Sequence, residues 1–311
     1  MTSSLLLQEK GRDEVNLKNL TKPNSSLIDE GMNTTNQHTG KVILTGAGCG
    51  DPELITVKAA RYLQQADVVL TDRLVSKEIL DRYARADASI IYVGKQCRRG
   101  YSTPQQSINA YIVEYALQGK LVVRLKGGDV SIFSNILDEL QTVAEHNIPY
   151  EIVPGVTAAL GASAYAGIPL TGRGLSTAVR LLTSYKSDIV TAEYWKELSQ
   201  TTDTLVFYMS SETLDDVVAN LVKYNIDPQK LLAVVEQATT PLQNVHITSL
   251  YDYEANFKGR SFVSPSIVII GKVVALHEKY AWLPNNETSD HYFKPVDSNT
   301  NKINTAIHVG R

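Results

Sequence analysis

From about residue 40 to about residue 283 the chain alternates short β-branched runs with longer amphipathic stretches. That alternation predicts an α/β architecture with a largely parallel sheet, because strands covered by helices on both faces lose the polar alternation of a solvated sheet. Strands are predicted at 42–45, 68–71, 90–93, 121–125 and 150–153, and helices between them at 53–65 and 103–117. In the first of these helices Leu54, Val57, Lys58 and Arg61 recur at helical spacing. A second set of strands, at 178–183, 204–209, 231–235, 244–247 and 265–270, is less evenly spaced and predicts a mixed sheet. The Pro154-Gly155 pair divides the two sets. Two domains are therefore expected, at 40–155 and 156–283, with loosely ordered polar tails at 1–39 and 284–311.

Composition removes several function classes. Lys+Arg 30 against Asp+Glu 33 gives a net charge of -3, which excludes binding nucleic acid through bulk positive charge. No run approaches the roughly 18 apolar residues that a membrane span requires. Leu5-Leu6-Leu7 is too short for a signal-peptide core and lacks a basic leader. Cys49 and Cys97 have no metal-ligand spacing, so no metal is expected, and the reducing cytoplasm is the default location.

Three constellations can carry chemistry. The first strand runs into Gly46-Ala47-Gly48-Cys49-Gly50-Asp51-Pro52, where glycine lets backbone approach a ligand closely. A nicotinamide fingerprint would need glycine where Asp51 stands, although Asp72 could mimic its ribose-binding acid. Val122 to Asp129 is a second strand opening into a glycine turn, Gly127-Gly128-Asp129. Two such turns at strand carboxyl ends point to a shared crevice. The third is Val153-Pro154-Gly155-Val156-Thr157-Ala158-Ala159, followed by Ala164-Tyr165-Ala166-Gly167. Its small residues suit either tight helix packing or a flat ligand lying on backbone between domains.

Together GAGCGDPELITVKA, ADVVLTDRLVS, VRLKGGD, VPGVTAALGASAYAGIPLT, TLVFYM and PSIVIIGKVVAL resemble the uroporphyrinogen-III C-methyltransferases of the tetrapyrrole methylase superfamily, over about residues 40 to 283. The resemblance implies a two-domain α/β tetrapyrrole methylase fold, with a largely parallel N-terminal sheet, a mixed C-terminal sheet and a cofactor cleft between them. It further implies a homodimer that binds S-adenosyl-L-methionine and releases S-adenosyl-L-homocysteine. Carried over by position, cofactor contacts fall on Cys49, Gly127, Gly128, Asp129, Ile132, Thr157, Ala158, Met209 and Ala238. The implied reaction methylates uroporphyrinogen III at two ring carbons to give precorrin-2, for sirohaem or a related tetrapyrrole. Some members carry an added dehydrogenase and ferrochelatase domain, so separate proteins are expected to complete any sirohaem here.

Methyl transfer from a sulfonium to a pyrrole carbon requires in-line positioning above all, and a carboxylate base assists as the pyrrole nitrogen gives up its proton. Asp51 is the candidate base, with Arg73 as electrostatic partner; Asp51 equally suits a helix cap before Pro52, and both roles are compatible. Cys49 lacks a partner base and is not expected to act as a nucleophile. An acceptor with eight carboxylates calls for arginine forks and lysine. Arg98 and Arg99 are the main candidates, with Arg124 and Lys126, against the alternative of solvated surface charge. The substrate-side motifs depart from the family: GGDVSIFSNILDE stands for GGDPFIFGRGGEE, and Tyr101 and Gly172 occupy positions usually held by histidine. A different tetrapyrrole acceptor, such as a later precorrin, or a non-catalytic binding protein are the alternatives these motifs allow.

Overall fold

Five apolar runs build the first sheet of the computed structural model, which describes residues 39–93, 95–96, 101–183, 191–210, 212–286, 288 and 290–293. In chain order the strands are β1 (Lys41–Gly46), β2 (Val68–Thr71), β3 (Ser89–Tyr92), a separate antiparallel pair β4 (Lys95–Gln96) and β5 (Tyr101–Ser102), then β6 (Leu121–Lys126) and β7 (Tyr150–Val153). The sheet order is β3-β2-β6-β1-β7 and every neighbouring pair is parallel. All five carboxyl ends therefore share one edge. The loops after β6, β1 and β7 are immediate neighbours there, which is why three glycine-bearing segments far apart in sequence meet.

Helices α1 (Val57–Leu63) and α2 (Lys77–Tyr83) bury Ala59, Leu63, Ile79 and Leu80 against one face of this sheet. On the other face α3 (Gln105–Leu117) and α4 (Ile136–Glu145) bury Ile108, Ile112, Ala116 and Val143. The helix expected at 53–65 is interrupted. Asp51 caps a 3₁₀ turn, Pro52–Leu54, and Thr56 then starts α1 afresh by accepting from the Ala59 amide. The face it buries is Ala59 and Leu63, an i,i+4 pair, while Val57 stays 76% exposed.

The second half begins with α5 (Ala158–Tyr165), then β8 (Val179–Thr183), α6 (Ala192–Gln200), β9 (Thr204–Tyr208), α7 (Leu214–Lys223), β10 (Leu231–Glu236), β11 (Asn244–Ser249), α8 (Tyr253–Asn256), β12 (Ser266–Gly271) and α9 (His277–Tyr280). The sheet runs β11-β10-β12-β9-β8, with β8 and β9 parallel and the other pairs antiparallel, a mixed sheet as expected. Helices α6 and α7 cover one face through Trp195, Leu198, Val217 and Leu221. Helix α5 lies on the other face through Ala159, Ala162 and Ala166. Small side chains at this spacing let a helix sit close on the sheet. Because β9 and β10 flank β12 and both oppose it, the residues after their carboxyl ends, Met209 and Gln237, emerge at the same edge.

Composition alone predicts a loose segment after residue 284, yet its first part is packed. Both ends of the Asn285 carboxamide bond the backbone of Val245 on the edge strand β11, and Phe293 is buried. Residues 1–38 and 294–311 lie outside the described residues.

Arg124 and Lys126, expected from the sequence as acceptor-binding charges, are instead buried and committed to Glu139. Both sit on β6 and are buried, with Arg124 Nε at 2.9 Å from Glu139 Oε1 and Lys126 Nζ at 2.9 Å from Glu139 Oε2. Arg124 also donates to the carbonyls of Leu70 and Leu125. Burial and the neighbouring Arg124 charge push Lys126 below the ordinary lysine range. Their pattern in the sequence is that of strand residues bearing surface charge, but both faces of β6 are covered. Glu139 on α4 is the countercharge that makes this tolerable. Glu139→Ala should lower unfolding free energy by about 3–5 kcal/mol in urea titrations, since it strands two buried cations; a loss below about 1 kcal/mol would show the triad to be hydrated.

Candidate functional site

The loops at the first sheet's carboxyl edge are sewn to one another by backbone and by carboxylates. Gly48 and Gly128 exchange both backbone bonds, Gly48 N to Gly128 O at 3.1 Å and Gly128 N to Gly48 O at 2.6 Å. Both have left-handed φ, 81° and 73°. Asp129 accepts the Gly155 amide at 2.8 Å on Oδ2 and the Ser131 amide at 2.7 Å on Oδ1, tying the β6 loop to the β7 loop. Asp72, after β2, accepts the amides of Leu74 at 2.9 Å and Gly127 at 3.2 Å. Gly46 and Gly155 touch backbone to backbone: a Cβ on Gly155 would lie 2.8 Å from Gly46 Cα. The direction of a Cβ on Gly128 is different. It would meet only Ala158 N, at 3.9 Å, so this glycine borders an opening beside the first turn of α5.

The second half supplies the facing wall. Tyr208 OH, at the end of β9, lies 2.7 Å from Thr157 Oγ1 and accepts the Ala159 amide at 3.1 Å, fixing the start of α5. Met209 follows with φ 53° and half its surface exposed. The Phe133 ring, from the β6 loop, lies 5.0 Å from the Tyr208 ring, and Ile132 packs against the cluster under α5. After β10, Gln237 and Thr239 adopt φ of 46° and 67°, with Ala238 buried between them. The 127–132 and 157–158 segments thus come together, Gly128 beside Ala158 and Phe133 against the Tyr208 that holds Thr157; Met209 follows Tyr208, and Ala238 lies in the turn that contacts the first loop.

That support is direct. Thr239 Oγ1 accepts the Asp51 amide at 3.1 Å, and a Cβ on Gly50 would meet Thr240 Cγ2 at 2.8 Å. Cys49 is half-buried between this turn and α5, where a Cβ on Gly161 would run into its Sγ. Burial raises the Cys49 thiol above its ordinary range, which keeps it protonated.

Asp51 is a cap as well as a candidate base. Its Oδ1 accepts the Glu53 amide at 2.8 Å, and its Oδ2 accepts the phenol of Tyr165 at 2.5 Å. Arg73 does not make that contact; among the described residues it has no ion pair, and it remains a half-buried, unneutralised cation. Tyr165, quoted from the sequence only within the small-residue stretch, is the partner of Asp51 that sequence reading did not assign. Burial, then its bond to Asp51, holds the phenol well above its ordinary range, so it stays a donor. The Trp282 ring stands edge-on to Tyr165 at 5.2 Å, and Gln243 holds the Tyr165 carbonyl. A half-buried tyrosine seeks a partner for its hydroxyl, but which one cannot be read from a helix 114 positions away. Arg98 and Arg99 lie outside the described residues.

Backbone turns from three neighbouring parallel strands, joined through a small-residue helix to a mixed sheet, define a two-sheet α/β protein. A family model described as Tetrapyrrole (Corrin/Porphyrin) Methylases matches residues 41–254, and the chain belongs to that family. A siroheme synthase of Saccharophagus degradans is 46% identical over 246 residues, 79% of this chain and 53% of the relative. The chain spans about half the length of the curated relatives it matches. Among solved structures, a uroporphyrin-III-C-methyltransferase from Thermus thermophilus is 33% identical with a TM-score of 0.65, over 80% of this chain and 98% of that one. The same Thermus enzyme complexed with S-adenyl homocysteine is 32% identical with a TM-score of 0.63, over 76% and 93%. No helix of the described residues is long and apolar enough to cross a membrane.

The α5 seam is tight enough to test. Gly161→Ala should cost about 1–3 kcal/mol of stability through overpacking. Adding Cys49→Ala should recover at least about 0.5 kcal/mol of it, as coupled neighbours do. Additive losses in chemical denaturation would show that the two sites do not press on each other.

Proposed function

We propose that this chain transfers methyl groups from S-adenosyl-L-methionine to two ring carbons of uroporphyrinogen III, yielding precorrin-2 and S-adenosyl-L-homocysteine. The observation that supports this reading is the space beside Gly128 at the first turn of α5, with the Asp51 carboxylate held in the neighbouring first loop by Tyr165 of the same helix. The residues present fit the donor. Gly128 leaves the space of a missing Cβ, and peptide groups from Gly127, Gly128, Thr157 and Ala158 can meet adenosine and amino-acid polar groups by hydrogen bonding. Bound there, the donor supplies an electrophilic methyl group on a positively charged sulfur.

The chain's own residues then have three tasks. The sewn loops hold the donor pocket in one geometry, which is the main requirement of an in-line displacement. Asp51 accepts the pyrrole proton, with Tyr165 and the Glu53 amide fixing the direction of its remaining lone pairs. Arg73, half-buried and without an ion pair among the described residues, meets an acceptor carboxylate, and Arg98 and Arg99 meet others. The second reading keeps the donor site and changes the acceptor. It is favoured by the altered stretch 130–138, where Asn135 holds φ 56° and Leu137 is exposed in place of the family's arginine and glycine.

Incubation with uroporphyrinogen III and labelled donor should give a dimethylated product by mass spectrometry; an unmodified acceptor alongside measurable S-adenosylhomocysteine binding would favour the second reading. Asp51→Asn should lower kcat by about 10²-fold or more while donor-product affinity stays within about threefold, on the scale of general-base catalysis; parent-like turnover would remove the base role. Arg98→Ala with Arg99→Ala should raise the acceptor KM and leave S-adenosylhomocysteine affinity intact. An unmoved KM would return both arginines to the solvated surface.

A further inference from the structure

A short segment outside the family-matched residues 41–254 reaches across both walls of the site. Gln237 is wholly buried in the turn that carries Ala238, and its carboxamide is directed at the chain near residue 290. Its Nε2 donates to the Asp290 carbonyl at 2.9 Å, and its Oε1 accepts the Tyr292 amide at 2.7 Å. Nε2 also reaches the Leu242 carbonyl at 3.4 Å, so losing the segment would leave the buried Oε1 unpaired and Nε2 with that long bond alone. Phe293 is buried beside Tyr292, with ring centroids 5.2 Å apart. The Tyr292 side chain then crosses to the other half of the molecule, where its hydroxyl donates to Glu78 Oε2 at 2.8 Å in the first turn of α2. Burial and the Glu78 carboxylate push the phenol up to about 12, with Asp51 near enough to add to the effect, so the hydroxyl remains a donor at neutral pH.

Glu78 follows directly on the segment that holds Asp72 and Arg73, and Gln237 sits two residues before the threonine that supports Asp51. We propose that Asp290–Phe293 is a clasp across the Asp51 end of the crevice, with Tyr292 a positioning residue that fixes the 72–78 wall, and so Arg73, relative to the 237–240 turn. In the methyltransferase reading, on which the acceptor assignment rests, this is the acceptor end. The clasp therefore sets how the macrocycle's carboxylates are received, and none of its described hydrogen bonds reaches Gly127, Gly128, Thr157 or Ala158.

Two measurements on the full chain decide the matter. Hydrogen exchange needs no turnover: Tyr292→Ala should raise exchange of amides in 73–79 by about tenfold or more, with the amides of β1 and β10 unchanged. Unaltered exchange at 73–79 overturns the clasp, and so does a uniform rise throughout the chain. In steady-state assays Tyr292→Phe, which keeps the ring and loses the hydroxyl, should raise the acceptor KM by about tenfold with kcat and S-adenosylhomocysteine affinity each within about twofold. Glu78→Gln, which retains an oxygen for the phenol, should stay near the parent, while Glu78→Ala should match Tyr292→Phe and add nothing to it. Additive effects of those two, or a loss in kcat alone, overturn the positioning role. If the parent methylates no tetrapyrrole, the proposed function fails while the exchange result still decides the clasp.

Discussion

The arrangement depends on the parallel pairing of β1 with β6 and β7. Parallel strands bring their carboxyl ends to one edge, and the order β3-β2-β6-β1-β7 makes the three glycine-bearing loops adjacent. Adjacent loops would clash if they carried ordinary side chains. Gly46 and Gly155 allow backbone-to-backbone contact, and the Gly48–Gly128 exchange closes the gap between β1 and β6. With these contacts made, Asp129 and Asp72 satisfy amides that the close approach would otherwise leave unpaired. The rigidity that methyl transfer requires is therefore a property of the sheet order as well as of any single residue.

The halves meet through α5. Its alanines lie on the second sheet, while Gly161 receives Cys49 from the first loop, so the helix is held from both sides. Asp51 gains from this placement because Tyr165 closes the same helix and Thr239 comes from the second sheet. A carboxylate fixed by a phenol, a loop amide and a threonine-held backbone has little freedom to turn. That restraint suits the proton-accepting role proposed for it.

Charge divides into a structural set and an available set. Arg124 and Lys126 neutralise Glu139 inside the first half and hold β6 to α4, behind the Gly127-Gly128 turn. Among the described residues Arg73 has no ion pair, and it is not fully buried. Sequence reading added Arg124 and Lys126 to the acceptor candidates, because a charged residue at a strand end looks the same whichever way its side chain leaves the sheet. The missing information was that β6 is a central strand covered on both faces.

Period and punctuation settled much of the fold in advance. The β-branched runs, the Pro154-Gly155 break and the irregular later spacing predicted a parallel sheet followed by a mixed one, because burial on both strand faces leaves a continuous apolar signal. The glycine turns were legible for a similar reason: backbone contact admits only a residue without a Cβ. Strand order, the break in the helix at 53–65, the Tyr165 partner of Asp51 and the packing of 285–293 were decided only by tertiary structure. Each depends on groups brought together from distant parts of the chain, and no local periodicity encodes the direction in which a hydroxyl or a carboxamide will find its partner.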